Sequence, residues 1–177
     1  AGTAVADALF GKFSPAGRLT QTFYSNAYLS EIGMPDMRMR PTTGTGTGGG
    51  GGAPASPGRG YRFYQGPHIV YGFGHGLSYA RFVETFDDMP PWLVPLPSPS
   101  HGQSGDATLF SFSVAVRFAG GMRGAEHVVL VYLVPPGAGT GGAPRKVLRW
   151  FGRVRPDAIA SIEFKARVED FWMVGED

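Results

Sequence analysis

The chain has 177 residues, a net charge of +2 and no cysteine; 42% of its residues are hydrophobic and 17% are charged. This length allows one domain or two small ones, and the hydrophobic share is sufficient for a packed core. The missing cysteines exclude disulfides and thiolate metal sites, and the small net charge gives no reason to expect nucleic acid or an anionic membrane as a partner. The 28 glycines and 15 prolines favour turn-rich β structure over a helical bundle.

The beginning of the chain predicts one helix and one short strand. Residues 1–10 are rich in alanine, Val5 and Leu9 lie one helical turn apart, and Gly11 ends the pattern. Residues 18–24, RLTQTFY, alternate in the manner of a strand. Because the chain begins inside the helical pattern and without Met, we interpret it as a piece of a longer protein.

Two low-complexity stretches are expected to lie outside the folded parts. Residues 44–52 are almost entirely glycine, which loses the most entropy on ordering, so we predict a disordered insertion there. The segment at 90–106 begins with the proline-rich run PPWLVPLPSP, which predicts an extended linker. The predicted organisation is a first part at 1–89, the linker at 90–106 and a second part at 107–177.

A sharp turn is predicted in residues 71–82, YGFGHGLSYARF. Gly72, Gly74 and Gly76 allow backbone conformations in which a Cβ atom would clash. We expect the ring of His75 to form a hydrogen bond with nearby backbone and so to hold the turn. Four apolar side chains are expected to pack beneath this corner: Phe73, Leu77, Tyr79 and Phe82.

Beyond the linker the sequence predicts four β-strands, at 109–118, 127–134, 146–154 and 161–168. The first strand is apolar at every even position, which indicates one buried face. The second strand is apolar on both faces, so we expect it in the centre of a sheet. Turns separate all four strands, which favours an immunoglobulin-type β-sandwich. The segment is short for seven strands, so we expect the sandwich to be truncated.

The residues themselves assign no catalytic, cofactor-binding or metal-binding role. Zinc needs three or four converging ligands, which favours structural roles for the histidines: these are His68, His75, His101 and His127. Asp36 lies close to Arg38 and Arg40, and an acid beside arginines stays ionised. A structural ion pair is favoured for Asp36 over a ligand contact.

Other candidate groups are also interpreted as structural. The acidic pairs are expected to be solvated turns: Asp87 with Asp88, and Glu169 with Asp170. Four aromatic residues could stack on a sugar ring, although packing is the commoner use of such side chains: they are Tyr61, Phe63, Tyr64 and Trp150.

In order along the chain, several motifs resemble the β-xylosidase/α-arabinofuranosidase-like branch of glycoside hydrolase family 3. They are AGTAVADALFGKFSPAGRLTQTFY, IGMPDMRMRP, PGRGYRFYQG and VYGFGHGLSYARF. The later segments GGMRGAEHVVLVYLVPP, APRKVLRWFGRV and EDFWMVGED resemble the C-terminal fibronectin type III-like domain of that family. The chain departs from the pattern in its glycine insertion, in Ser14 and in its proline-rich linker.

The resemblance implies a mainly β fold: a fibronectin type III-like sandwich preceded by the end of an α/β sandwich domain, with long Gly/Pro-rich loops. It implies a retaining exo-glycosidase whose two carboxylates lie about 5–5.5 Å apart. In the family both carboxylates precede the segment that Ala1 matches, so neither role is given to Asp36 or Glu31.

The resemblance further implies β-1,4-xylo-oligosaccharides or arabinose-substituted xylan as substrate, bound through an absent catalytic barrel that this chain contacts. It implies a secreted protein without a cofactor, and no nucleic acid or membrane partner. The alternative is a non-catalytic fibronectin type III-like module for carbohydrate binding or adhesion.

Overall fold

The structure is a computed structural model that describes residues 2–44, 55–90 and 108–171. The predicted glycine insertion and proline-rich linker lie outside the described residues, except for Gly44 and Pro90. In chain order the elements are α1 (Gly2–Leu9), β1 (Phe23–Tyr24), α2 (Tyr28–Glu31), α3 (Gly60–Phe63), β2 (Ile69–Tyr71), β3 (Ala80–Asp88), β4 (Thr108–Gly121), β5 (His127–Leu133), β6 (Val147–Val154), β7 (Ile159–Arg167) and a final 3₁₀ helix (Val168–Phe171).

Contacts between residues divide the chain into two compact units. Unit 1 comprises Ala1–Ala16, Ser78–Val129 and Trp150–Asp177, and unit 2 comprises Gly17–Leu77 and Leu130–Arg149. Strands β5 and β6 therefore contribute residues to both units. The domain limits predicted from the sequence stay a prediction.

Unit 1 contains an antiparallel three-stranded sheet with the order β3-β4-β7. The alternation predicted for β4 is confirmed, since Phe112, Val114 and Val116 are all buried. On the neighbouring strand β7, Phe164 lies opposite Phe112 in the register. Apolar residues of the two strands thus meet on one face of the sheet, as their period-two pattern requires.

A second layer in unit 1 covers this apolar face. Strand β6 pairs with β5, and its Trp150 ring meets Phe112 edge-on with 5.2 Å between the ring centroids. At the start of β5, the ring of His127 lies 4.6 Å from that of Phe82. The predicted mainly β fold with a sandwich is confirmed. Among the described residues, β4 rather than β5 has a strand on each side, because β5 pairs only with β6.

The helix predicted at the start of the chain is confirmed as α1, and none of its residues is buried. Its side chains Val5 and Leu9 are 59% and 72% exposed. Helix α1 therefore presents apolar surface without a partner in the described chain. None of the helices in the described ranges has the length and apolar character needed to span a bilayer.

The glycine-rich part of the predicted corner, residues 71–77, belongs to unit 2 and is held by backbone rather than by the histidine ring. The carbonyl of His75 accepts a hydrogen bond from Leu19 N, and Gly74 N donates to Leu19 O, both at 2.8 Å. The His75 ring makes no hydrogen bond within the described residues and lies 5.0 Å from the Tyr71 ring. The role predicted for the His75 side chain is therefore wrong. The packing predicted for Leu77 is also wrong, because that side chain is 76% exposed.

Two of the three glycines in the corner are required by its geometry. Gly74 has a φ of 81°, and a Cβ atom there would lie 2.8 Å from Leu130 Cδ1. At Gly76 a Cβ atom would lie 2.6 Å from the carbonyl oxygen of Gly17. Nothing lies within 4 Å of the corresponding position at Gly72, so that glycine is not needed for space.

Candidate functional site

The core of unit 2 is a cluster of three tyrosine rings. Tyr24 and Tyr28 are stacked with their centroids 4.0 Å apart, and Tyr64 meets both rings edge-on at 5.2 and 5.0 Å. Tyr64 is 0% exposed and Tyr28 is 6% exposed. Such a combination of stacked and edge-to-face rings is the arrangement that aromatic quadrupoles favour.

The phenol groups of this cluster are all hydrogen-bonded. Tyr64 Oη donates to Glu31 Oε2 at 2.9 Å, and Tyr28 Oη donates to the Gly58 carbonyl at 3.2 Å. The hydroxyl of Tyr24 accepts a bond of 2.7 Å from Gly60 N. Burial is the main cause that raises the pKa of Tyr28 to about 12, and burial together with the bond to Glu31 raises the pKa of Tyr64. Tyr28 and Tyr64 therefore keep their phenol protons over the ordinary pH range.

A cavity of about 340 Å³ opens beside the tyrosine cluster, within unit 2. Its walls combine aromatic rings with hydroxyl, amide and guanidinium groups. The residues that line it are Thr20, Gln21, Thr22, Tyr24, Tyr28, Arg59, Gly60, Tyr61 and Phe73. Neither a carboxylate nor a histidine is among these described lining residues.

Two polar atoms of the cavity lining are buried without a hydrogen-bond partner among the described residues: Thr22 Oγ1 and Arg59 Nε. The Nη2 atom of Arg59 is engaged elsewhere, since it donates to the carbonyls of Gly33, at 3.2 Å, and Asp36. Most buried polar groups in folded proteins are hydrogen-bonded, so two such atoms in one lining mark a place where a partner is missing.

Comparison with known proteins identifies the family. The chain is 32% identical to beta-xylosidase/alpha-L-arabinofuranosidase 1 of Medicago sativa subsp. varia over 169 residues, which cover 87% of this chain and 20% of that protein. It is also 32% identical to beta-xylosidase/alpha-L-arabinofuranosidase 2 of the same plant, and this match covers 99% of this chain and 23% of that protein. The chain belongs to glycoside hydrolase family 3. No family model matches it.

Solved structures of family 3 enzymes share the fold. The GH3 beta-glucosidase of Bifidobacterium adolescentis superposes with a TM-score of 0.63 and 27% identity, and the match covers 96% of this chain and 22% of that one. The family 3 chain described here thus spans about a fifth of the length of the curated relatives it matches.

In this family 3 chain, Asp36 is confirmed as a structural ion pair. Its carboxylate accepts bonds from Arg38 Nη2 at 2.6 Å, from Arg38 Nε at 2.9 Å and from Arg38 N at 2.9 Å. These hydrogen bonds lower the pKa of Asp36 to about 2. Arg40, which the sequence also placed near Asp36, instead donates to the Gly142 carbonyl at 3.2 Å.

Two of the described histidines, His68 and His127, lie beside a carboxylate. His68 Nε2 lies 3.2 Å from Glu31 Oε1, and His127 Nε2 lies 2.5 Å from Glu84 Oε1. His101 lies outside the described residues. No group of three potential metal-ligating side chains forms within residues 2–44, 55–90 and 108–171.

The acidic pairs predicted as solvated turns are exposed except for Asp170, which is partly buried. The turn predicted at Asp87 and Asp88 is wrong, because both residues lie in strand β3, and Glu169 and Asp170 lie in the final 3₁₀ helix. Of these residues, Asp88 accepts a bond of 3.4 Å from Ser113, and Asp170 accepts one of 2.8 Å from Arg167 N. Packing is confirmed for Tyr64 and Trp150, whereas Tyr61 lines the cavity.

Sequence reasoning missed most of the cavity. Thr22 and Arg59 are separated by a long stretch of chain, and neither belongs to a motif with known chemistry. The sequence predicts Phe73 only as a packing residue of the corner. The weak signal in the sequence was the aromatic run GYRFY at 60–64, which supplies Gly60 and Tyr61 to the lining.

Proposed function

We propose that this chain is the C-terminal portion of a retaining exo-glycosidase that acts on β-1,4-linked xylo-oligosaccharides or arabinose-substituted xylan. The observation that carries the proposal is the match to β-xylosidase/α-L-arabinofuranosidases over as much as 99% of this chain. In the proposal, unit 1 includes a fibronectin type III-like sandwich that supports a catalytic barrel supplied by other segments of the protein.

Exposed apolar side chains on strand β2 and helix α1 support a contact between this chain and another part of the protein. The strand β2 is exposed along its whole length, with Ile69 at 38%, Val70 at 54% and Tyr71 at 50%. Contiguous exposed apolar side chains commonly mark interaction surfaces. We propose that this surface, together with helix α1, contacts the catalytic barrel.

The engagement of two carboxylates of unit 2 supports a catalytic centre elsewhere. Asp36 is engaged by Arg38, and Glu31 accepts from Tyr64 and lies beside His68. A retaining mechanism needs one carboxylate free to attack and another free to deliver a proton. We therefore propose no catalytic residue in this chain.

The proposed setting follows the family. The protein is proposed to be extracellular, to meet its oligosaccharide substrate through the barrel, and to need no cofactor and no nucleic acid or membrane partner. A free-standing fibronectin type III-like module is not favoured, because the relative's match extends over residues of both units.

Activity measurements test the proposal directly. The 177-residue chain should release no p-nitrophenol from the β-xyloside, the α-arabinofuranoside or the β-glucoside. The same chain expressed with the coding sequence that precedes Ala1 should hydrolyse the β-xyloside or the α-arabinofuranoside. Turnover by the 177-residue chain well above background would overturn the proposal, as would a longer protein that cleaves only the β-glucoside.

A further inference from the structure

We propose that the cavity of unit 2 is a non-catalytic binding site for one neutral glycosyl unit of a xylan-type chain. The class of sugar is taken from the proposed function, on which this inference therefore rests. The existence of the site is inferred from the geometry of the cavity. It gives the residues around Tyr61 and Phe73 a role in holding a polysaccharide, beyond supporting a barrel.

The size and the aromatic wall of the cavity suit a sugar ring. Its volume of about 340 Å³ falls within the range of about 300–1,000 Å³ found for small-molecule sites. Tyr61 and Phe73 form a stacked pair with centroids 4.2 Å apart, and both rings line the cavity. The apolar C–H face of a pyranose or furanose ring can pack against such rings, which carry large apolar surfaces.

The aromatic wall is fixed before any ligand arrives. Tyr61 Oη accepts a hydrogen bond of 3.1 Å from Leu148 N, and the Tyr61 ring meets Tyr132 edge-on at 6.0 Å. The backbone behind Phe73 is fixed by the two bonds between Leu19 and the corner. A preformed wall loses little freedom on binding, so weak individual contacts still contribute to affinity.

The polar lining matches the hydroxyl groups of a sugar. Gln21 has both a donor and an acceptor on an exposed amide, and Thr20 and Thr22 have hydroxyls that can donate or accept. Thr22 Oγ1 and Arg59 Nε have no hydrogen-bond partner within the described chain. Both residues line the cavity, and a ligand hydroxyl has the donor and acceptor groups that these atoms lack as partners.

The charges of the lining favour a neutral ligand. Arg59 is the one ionic side chain in the described lining, and its Nη2 atom already donates to two backbone carbonyls. The lining contains no carboxylate that could recognise a cation. A neutral polyol with one apolar face therefore fits the cavity better than an anionic sugar or a basic peptide.

Binding of xylohexaose to the 177-residue chain tests the site by ¹H–¹⁵N NMR. The Gln21 side-chain amide and the backbone amides of Thr22 and Gly60 should shift, with a Kd of about 1–10 mM for one weakly held sugar unit. Phe73→Ala should weaken binding about tenfold by removing part of the aromatic wall. Gln21→Ala should weaken it about threefold to tenfold, and its exposed position leaves the fold unaffected.

Phe151→Ala is the matched control, because it removes an aromatic ring that is 71% exposed and does not line the cavity. It should bind xylohexaose like the original chain. The inference would be overturned if only other residues shifted, or if no residue shifted at about 20 mM xylohexaose. If the anionic sugar tetragalacturonate bound more tightly than xylohexaose, the assignment of a neutral ligand would be overturned. If the amide signals of the cavity shifted when the chain was diluted without sugar, a second copy of the chain would be the occupant instead.

The same samples separate this inference from the proposed function. Sugar release from xylohexaose by the 177-residue chain would overturn the assignment of catalysis to other segments, whatever the NMR result. Absence of both binding and release would overturn the glycosyl site and leave the proposed function standing.

Discussion

The two units of this chain are stabilised by different kinds of core. In unit 1, apolar side chains from alternate positions of β4 and β7 are buried, such as Phe112, Val116 and Phe164. In unit 2, the buried rings of Tyr28 and Tyr64 carry phenol groups that are hydrogen-bonded to the Gly58 carbonyl and Glu31. The first core depends on the amount of apolar area buried, and the second also depends on the geometry of specific hydrogen bonds.

This difference explains why the two cores respond to different changes. An apolar core is destabilised mainly when a buried side chain is replaced by a smaller one. The cavity that results loses both the free energy of hydrophobic transfer and the dispersion contacts of the removed atoms. Loss of a hydroxyl destabilises the tyrosine core through the lost hydrogen bond, and in the case of Tyr28 it also leaves the buried Gly58 carbonyl without that donor. Variants that change only volume or only a hydroxyl therefore distinguish the two units.

Phe112→Ala should give the largest effect and should act on unit 1. Phe112 is 3% exposed and contacts the rings of Trp150 and Phe164, so its removal leaves a cavity between the two layers of the sandwich. We expect the free energy of unfolding to fall by about 3–5 kcal/mol, measured by urea denaturation. Phe151→Ala, at a side chain that is 71% exposed, should change it by less than about 0.5 kcal/mol. Equal losses in the two variants would contradict the burial assigned to Phe112.

Tyr64→Phe should have an intermediate effect and should act on unit 2. The substitution keeps the ring that packs on Tyr24 and Tyr28 but removes the hydroxyl that donates to Glu31. We expect a loss of about 1–2 kcal/mol in the free energy of unfolding. Tyr71→Phe is the control, since that ring is 50% exposed and should tolerate the change. An unchanged stability in Tyr64→Phe would mean that unit 2, like unit 1, depends on packing alone.

At neutral pH the smallest effect is expected from the ionisation of tyrosine, which lowers stability only in the alkaline range. Burial raises the pKa of Tyr28 from 10.0 to about 12, so the folded chain holds this proton more tightly than the unfolded chain does. The resulting stabilisation is complete below pH 10 and is lost as the pH rises towards about 12. Ultraviolet absorbance of tyrosinate should show a late component that is smaller in Tyr28→Phe and unchanged in Tyr71→Phe, and the part that remains in Tyr28→Phe includes Tyr64. A late component of undiminished amplitude in Tyr28→Phe would contradict the assignment.

The sequence predicted unit 1 better than unit 2 for a physical reason. A period-two pattern reports burial locally, so the buried face of β4 and the outward Lys165 of β7 could be predicted without knowing the fold. The tyrosine cluster joins Tyr24 and Tyr28 to Tyr64, and no local pattern indicates which distant rings will meet. The same limit explains the errors at His75 and Leu77, because the corner is completed by the backbone of Leu19 from a remote segment.

The candidate site was less predictable than either core. Thr22, Arg59 and Phe73 meet only because α3, β1 and the corner come together in unit 2. The chemistry of the proposed ligand rests on the resemblance to family 3 enzymes, and the lining residues follow from the three-dimensional arrangement. Neither could have replaced the other.

The position of β4 between β3 and β7 determines where this chain can be cut for laboratory study. A recombinant fragment that starts at residue 107 keeps β4 and β7 but discards β3, which pairs with β4 from Ala80 to Asp88. One side of a 14-residue strand would then expose unpaired amides and carbonyls to other molecules. Long open edges of this kind recruit neighbouring strands and lead to insoluble aggregates. A fragment that begins before residue 80 retains β3, so this edge of β4 stays paired and aggregation through it is not expected.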